Sequence, residues 1–121
     1  MPDDSGLVEY LLELLDPMGP VRARKMFGGY GIYLEDLMFG LISDSVFYLK
    51  VDDGNRPSFD ARGLSPFTFT YKDGRVMQMS YYQAPEDALD NSDEMLAWAQ
   101  GAYAAAQRSA RAGKAKKRRK A

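Results

Sequence analysis

Three short runs rich in β-forming residues, Gly29 to Leu34, Leu37 to Ser43 and Val46 to Val51, are separated by only two residues each, Glu35-Asp36 and Asp44-Ser45. A two-residue connection joins only antiparallel neighbours, because a parallel crossover needs a dozen or more residues. The middle of the chain is therefore expected to be a three-strand meander around which everything else must pack.

The flanking segments supply the rest of a small domain. Pro66 to Tyr71 alternates, with Phe67, Phe69 and Tyr71 on one face and Thr68 and Thr70 on the other, and Asp73-Gly74 turns it into Arg75 to Tyr82. Leu7, Val8, Leu11, Leu12 and Leu15 fall at helical spacing after the cap candidates Asp4 and Ser5, and Asp16-Pro17 stops them. Asn91 with Glu94 three residues on opens a second long helix, whose stripe is Met95, Trp98, Ala99, Ala102, Tyr103 and Ala106. Between the meander and the hairpin, Ser58 to Ala61 reads as a short helix that turns Phe59 inward. The order is α-β-β-β-α-β-β-α. An α+β two-layer domain, a five-stranded antiparallel sheet with helices gathered on one face, buries both kinds of apolar surface.

Composition narrows the chemistry. At 121 residues and 45% hydrophobic content the chain is one domain with an ordinary core. It has neither cysteine nor histidine, which removes thiolate and Ser-His nucleophile chemistry, disulfides and the usual zinc ligands. The acidic start Met1-Pro2-Asp3-Asp4 is unlike a secretory signal and the longest apolar run is far short of a membrane span, so the expected location is cytoplasmic, away from membranes.

The net charge of −1 hides a division: residues 1–100 carry 8 Lys and Arg against all 17 Asp and Glu, and residues 101–121 carry the other 8 basic residues and no acid. The chain is accordingly divided into a folded domain, 1–112, and a basic tail, 113–121, in which KAKKRRKA has nothing larger than alanine to bury and is expected to be disordered when unbound. Arg108, Arg111, Lys114, Lys116, Lys117, Arg118, Arg119 and Lys120 are the candidate nucleic-acid contacts, sequence-independent because phosphate contacts carry no base readout. The plainer alternative is a solubilising tail.

Arg24 to Tyr33, RKMFGGYGIY, sets Gly28, Gly29 and Gly31 among large apolar residues. It matches neither G-x-G-x-x-G nor a Walker loop, and a strand rather than a helix N-terminus follows it, so a bulge or bend leading into the sheet is expected in place of an anion cradle. Arg22, Arg24 and Lys25 just before it are candidate partner contacts. Tyr30, Tyr33, Tyr48, Tyr71, Tyr81 and Tyr82 read mostly as sheet packing rather than a base-stacking platform. Asp52, Asp53 and Asp60 read as a solvated loop rather than a cation site.

The same blocks carry a resemblance. Arg24 to Tyr33, with Met38-Phe39-Gly40-Leu41-Ile42, Val46 to Val51, Met79 to Pro85 and Trp98-Ala99, resembles the N-terminal domain of the TfoX/Sxy family of bacterial competence regulators, from about Val21 to Gln107. The resemblance implies the α-β-β-β-α-β-β-α two-layer domain. It supplies no catalytic residue and implies a protein partner, with transcription machinery the family's suggestion; the residues themselves point to no metal and no cofactor. Full regulators of this family add a C-terminal domain, whereas the basic tail follows here. The expected function is a non-enzymatic regulatory domain acting by protein contact, with non-specific nucleic-acid affinity from the tail. A protein-interaction or homodimerisation module with no nucleic-acid role is the alternative.

Overall fold

The computed structural model describes residues 5–26 and 29–120, with side chains for 6–26 and 29–112 of these. Helix α1 (Ser5–Leu15) and a single 3₁₀ turn (Asp16–Met18) precede β1 (Arg22–Met26), β2 (Gly29–Leu34), β3 (Leu37–Ser43) and β4 (Val46–Lys50). Helix α2 (Arg56–Ala61), the hairpin β5 (Pro66–Thr70) and β6 (Val76–Gln83), the short α3 (Glu86–Leu89) and the long α4 (Ser92–Lys120) complete the order. The strands form one antiparallel sheet in the order β1-β2-β3-β4-β6-β5.

The meander takes the form that its connections demand. Glu35 and Asp36 have φ of 51° and 64°, and Asp44 and Ser45 have 50° and 63°. Positive φ at both central residues is the type I′ geometry whose twist matches the flanking strands. The third hairpin turns through Tyr71 to Gly74, with Gly74 at φ 92° and the Tyr71 carbonyl accepting from the Gly74 amide at 3.0 Å. Its loop is thus one residue longer than the Asp73-Gly74 reading.

The sheet has six strands rather than the expected five. Arg22–Met26, read from sequence as a lead into the sheet, pairs with β2 from Arg22 opposite Tyr33 to Met26 opposite Gly29. Its RARKM sequence lacks an apolar alternation, because an edge strand has a single strand neighbour and only Ala23 of the five is not exposed. The glycine block also acts differently from a φ > 0 bend. Neither Gly29 nor Gly31 has positive φ; Gly28 lies outside the described residues. A Cβ on Gly29 would lie 2.0 Å from the Ile42 carbonyl oxygen, so the close approach of β3 is what excludes a side chain. The irregularity in this hairpin falls between Ile32 and Tyr33, where Phe39 of β3 is the extra residue and is fully buried.

All helices lie on one face. Val8, Leu11 and Leu15 of α1, Phe59 of α2 and Met95, Ala99, Ala102 and Ala106 of α4 meet Ile32, Phe39, Ile42, Phe47, Leu49 and Tyr82 from the sheet. The alanine stripe lets α4 settle close to β3, with Tyr103 edge-on to Phe39 at 5.8 Å. Phe59 turns inward as expected and meets Trp98 edge-on at 4.9 Å. Asn91 caps α4 by accepting from the Glu94 amide at 3.1 Å. The α4 backbone stays helical through Lys120, a segment of good helix formers. The side chains from 113 on, and Ala121 altogether, lie outside the described residues, and with them the expectation of a disordered tail.

Candidate binding surfaces

No helix among the described residues lies on the second face of the sheet. Directly paired residues share a face, so the pairs Arg24–Gly31, Gly31–Leu41, Leu41–Tyr48 and Lys50–Tyr81 place Arg22, Arg24, Met26, Tyr33, Leu41, Tyr48, Lys50 and Tyr81 on this open side. The hairpin adds Phe67, Phe69, Tyr71, Met77 and Met79, the same alternation seen in the sequence. Met26, at one edge of the sheet, and Phe67, Phe69 and Tyr71, at the other, line a single cavity of about 330 Å³. Six strands laid flat would hold the edges about 24 Å apart. The sheet therefore curls around this cavity.

The lining is almost wholly apolar and partly wet. Four methionines, Met26, Met38, Met77 and Met79, share it with the aromatic rings, and Met26, Phe69 and Met77 are 38%, 42% and 47% exposed. Gly31 belongs to the same surface: a Cβ there would meet the sulfurs of Met26 and Met38 and the Tyr33 ring. Cations stand over the tyrosines. Arg24 lies 5.6 Å from the Tyr33 ring centre, Lys50 5.2 Å from Tyr81 and Arg75 4.9 Å from Tyr71. Burial pushes the Tyr81 hydroxyl up to about 12, helped by the neighbouring Tyr33. Burial also lowers the Lys50 ammonium, with Asp52 opposing.

The expected partner cluster divides across the sheet. Arg22 and Arg24 point to the open face, and neither forms an ion pair among the described residues. Lys25, one residue on, pairs with Tyr30 and lies on the other side. Of the six tyrosines considered, Tyr33, Tyr48, Tyr71 and Tyr81 face the open side, while Tyr82 is buried with the core and Tyr30 packs against it. Two of them pack on hairpin rings: Tyr48 is edge-on to Phe67 at 5.0 Å and Tyr71 to Phe69 at 5.1 Å.

The basic residues of α4 begin with one that is already engaged. Arg108 donates through Nε and Nη2 to both carboxylate oxygens of Asp52, at 2.6 and 2.7 Å. This fork, with the Gly54 amide, holds the Asp52 carboxyl down at about 2, against its ordinary 3.8. Gly54 sits against the guanidinium, where a Cβ would lie 2.8 Å from Nη2. Asp53 pairs with Arg56 at 2.6 Å. The Asp52-Asp53 pair thus answers arginines, a role that sequence spacing does not reveal because Arg108 is 56 residues away. Arg111 is exposed on α4; for Lys114, Lys116, Lys117, Arg118, Arg119 and Lys120 only the helical backbone is described.

A curled sheet backed by helices, with an aromatic and methionine face left open, defines a domain of the α+β class. Comparison with known sequences gives the family. Residues 13–106 match the TfoX N-terminal domain, and the chain belongs to that family. It is 27% identical over 85 residues to Protein Sxy of Escherichia coli strain K12, a match covering 69% of this chain and 40% of that protein. It is 28% identical over 82 residues to DNA transformation protein TfoX1 of Aliivibrio fischeri, covering 68% of this chain and 39% of the relative. The matched stretch thus spans about two-fifths of each relative. No helix among the described residues is long and apolar enough to cross a membrane.

Proposed function

We propose that this chain is a non-enzymatic regulatory domain of the TfoX/Sxy type, whose folded body acts by contact with a protein partner while the basic end of α4 adds non-specific affinity for nucleic acid. The observation that carries the protein contact is the uncovered sheet face. Helices close the central strands on the opposite face, yet this face leaves Met26, Phe69 and Met77 in water. The family's association with competence genes makes transcription machinery the partner of first choice.

The nucleic-acid part rests on charge. Arg108 is tied to Asp52, so the available cations of this segment are Arg111 and the six Lys and Arg of residues 114–120. Each phosphate neutralised releases a counterion and adds about −0.9 to the log–log salt slope, so deleting residues 113–121 should flatten that slope by up to about 5. The test is retention on duplex DNA at low salt, with circular dichroism to follow folding. Loss of retention by a folded truncated chain is the expected result; unchanged retention contradicts the tail's role. For the body, a salt-resistant partner captured from native extract is expected, and capture that disappears entirely with salt contradicts protein contact.

A further inference from the structure

The sheet has a charge pattern opposite to that of the body it belongs to. None of the six strands contains a single Asp or Glu, although residues 1–100 hold 17 of them. The carboxylates sit in helices, turns and loops, whereas Arg22, Arg24 and Lys50 stand on the open face outside the methionine and aromatic cavity, Arg22 and Arg24 lining a second, more polar cavity with Glu35 and Asp36 of the β2–β3 turn. Among the described residues none of these three cations forms a direct ion pair, although Asp52 lies close enough to Lys50 to favour its charged form. A surface with an apolar centre and a cationic border, free of carboxylates within its strands, is complementary to a ligand with apolar anchors flanked by acids.

We infer that the curled open face is a docking groove for an acidic, amphipathic peptide segment of a protein partner. Aliphatic or aromatic anchors occupy the cavity between Met26 and Met77, and flanking carboxylates meet Arg22, Arg24 and Lys50. The inference rests on the reading that the body acts by protein contact, and gives that contact a surface and a chemistry. Three features favour a peptide. The cavity is bordered by β1 and β5, both sheet edges whose outer backbone groups have no strand partner among the described residues, as an extended segment requires. Unbranched methionine side chains adapt to varied apolar anchors. Single-stranded nucleic acid stacks on free ring faces, and here Arg24, Lys50 and Arg75 stand over one face of Tyr33, Tyr81 and Tyr71 while Tyr48 and Phe69 stand edge-on to neighbouring rings.

The experiment is selection of a random dodecapeptide library on the full chain at about 0.15 M salt, followed by anisotropy titration of the most enriched peptide. Enrichment of Leu, Phe or Trp flanked by Asp and Glu is expected. Arg22→Glu with Arg24→Glu should weaken that peptide roughly tenfold, and Met77→Glu, on an exposed wall that tolerates substitution, should do the same. Both variants keep the basic tail, so binding there would survive them. Enrichment of basic peptides, absence of any consensus, or equal affinity for both variants overturns the inference. Displacement of the peptide by oleate or by a thymidine dodecanucleotide, with shifts mapped to the groove, overturns it in favour of a lipid or nucleic-acid ligand. If groove variants still capture the salt-resistant partner, the surface is wrong and the protein-contact reading stands. If the wild type captures none, that reading falls.

Discussion

The two faces of one sheet are built from the same strands by the same alternation, and they differ in what covers them. On one side Ile32, Ile42, Phe47 and Leu49 are closed off by α1, α2 and α4, and no polar or charged residue is buried among the described residues. On the other, Tyr33, Leu41, Lys50 and Tyr81 come from the same strands, joined by Met26 and the β5–β6 hairpin, and no helix arrives. The covered face determines stability. The open face is left with adaptable methionines, cation-topped tyrosines and a curl that a packed layer would not leave empty.

That difference makes substitutions on the two sides behave differently. Phe39→Ala, which removes a fully buried ring and its contact with Tyr103, should lower the unfolding free energy by about 3–5 kcal/mol in a denaturant titration. Gly29→Ala should cost about 1–3 kcal/mol or more, because its Cβ would run into the Ile42 backbone. Gly31→Ala should cost less, since its Cβ meets side chains of Met26, Tyr33 and Met38 rather than backbone, and it should narrow the groove. Asp36→Gly should raise stability by about 1 kcal/mol by relieving an αL residue at φ 64°. Met77→Ala should stay within about 0.5 kcal/mol of the wild type while weakening peptide capture.

The Asp52–Arg108 fork contributes a separate, pH-dependent term. The Asp52 carboxyl titrates at about 2 in the folded chain against an ordinary 3.8, so the folded state holds it ionised where the unfolded state binds a proton. Its stabilisation is complete above about 3.8 and is lost as pH falls toward about 2. Asp52→Asn should therefore reduce stability modestly at neutral pH and flatten the acid limb of the curve between those values. An unchanged acid limb would show that the fork does not persist in solution.

Much of the architecture was legible because short connections leave few choices. Glu35-Asp36 and Asp44-Ser45 fixed the meander, and Asn91 with Glu94 marked where α4 begins. The strand β1 was not, since RARKM lies on an edge and needs no apolar alternation. The open groove was hidden for another reason. Phe67, Phe69 and Tyr71 announce an apolar face, but alternation says only that side chains share a side, never whether a helix will cover it. The division of Arg22 and Arg24 from Lys25 follows from the same period of two, once the segment is known to be a strand. Arg108 stands beside other basic residues in the sequence and so groups with the tail, whereas α4 carries it to a carboxylate far back in the chain.

The most direct test of the open face as the contact surface is hydrogen–deuterium exchange of the full chain with and without the selected acidic peptide. Slower exchange in β1, β5 and β6, with α1 and the first turns of α4 unchanged, is the predicted result. Protection confined to the helices, or to the basic end of α4, would contradict it.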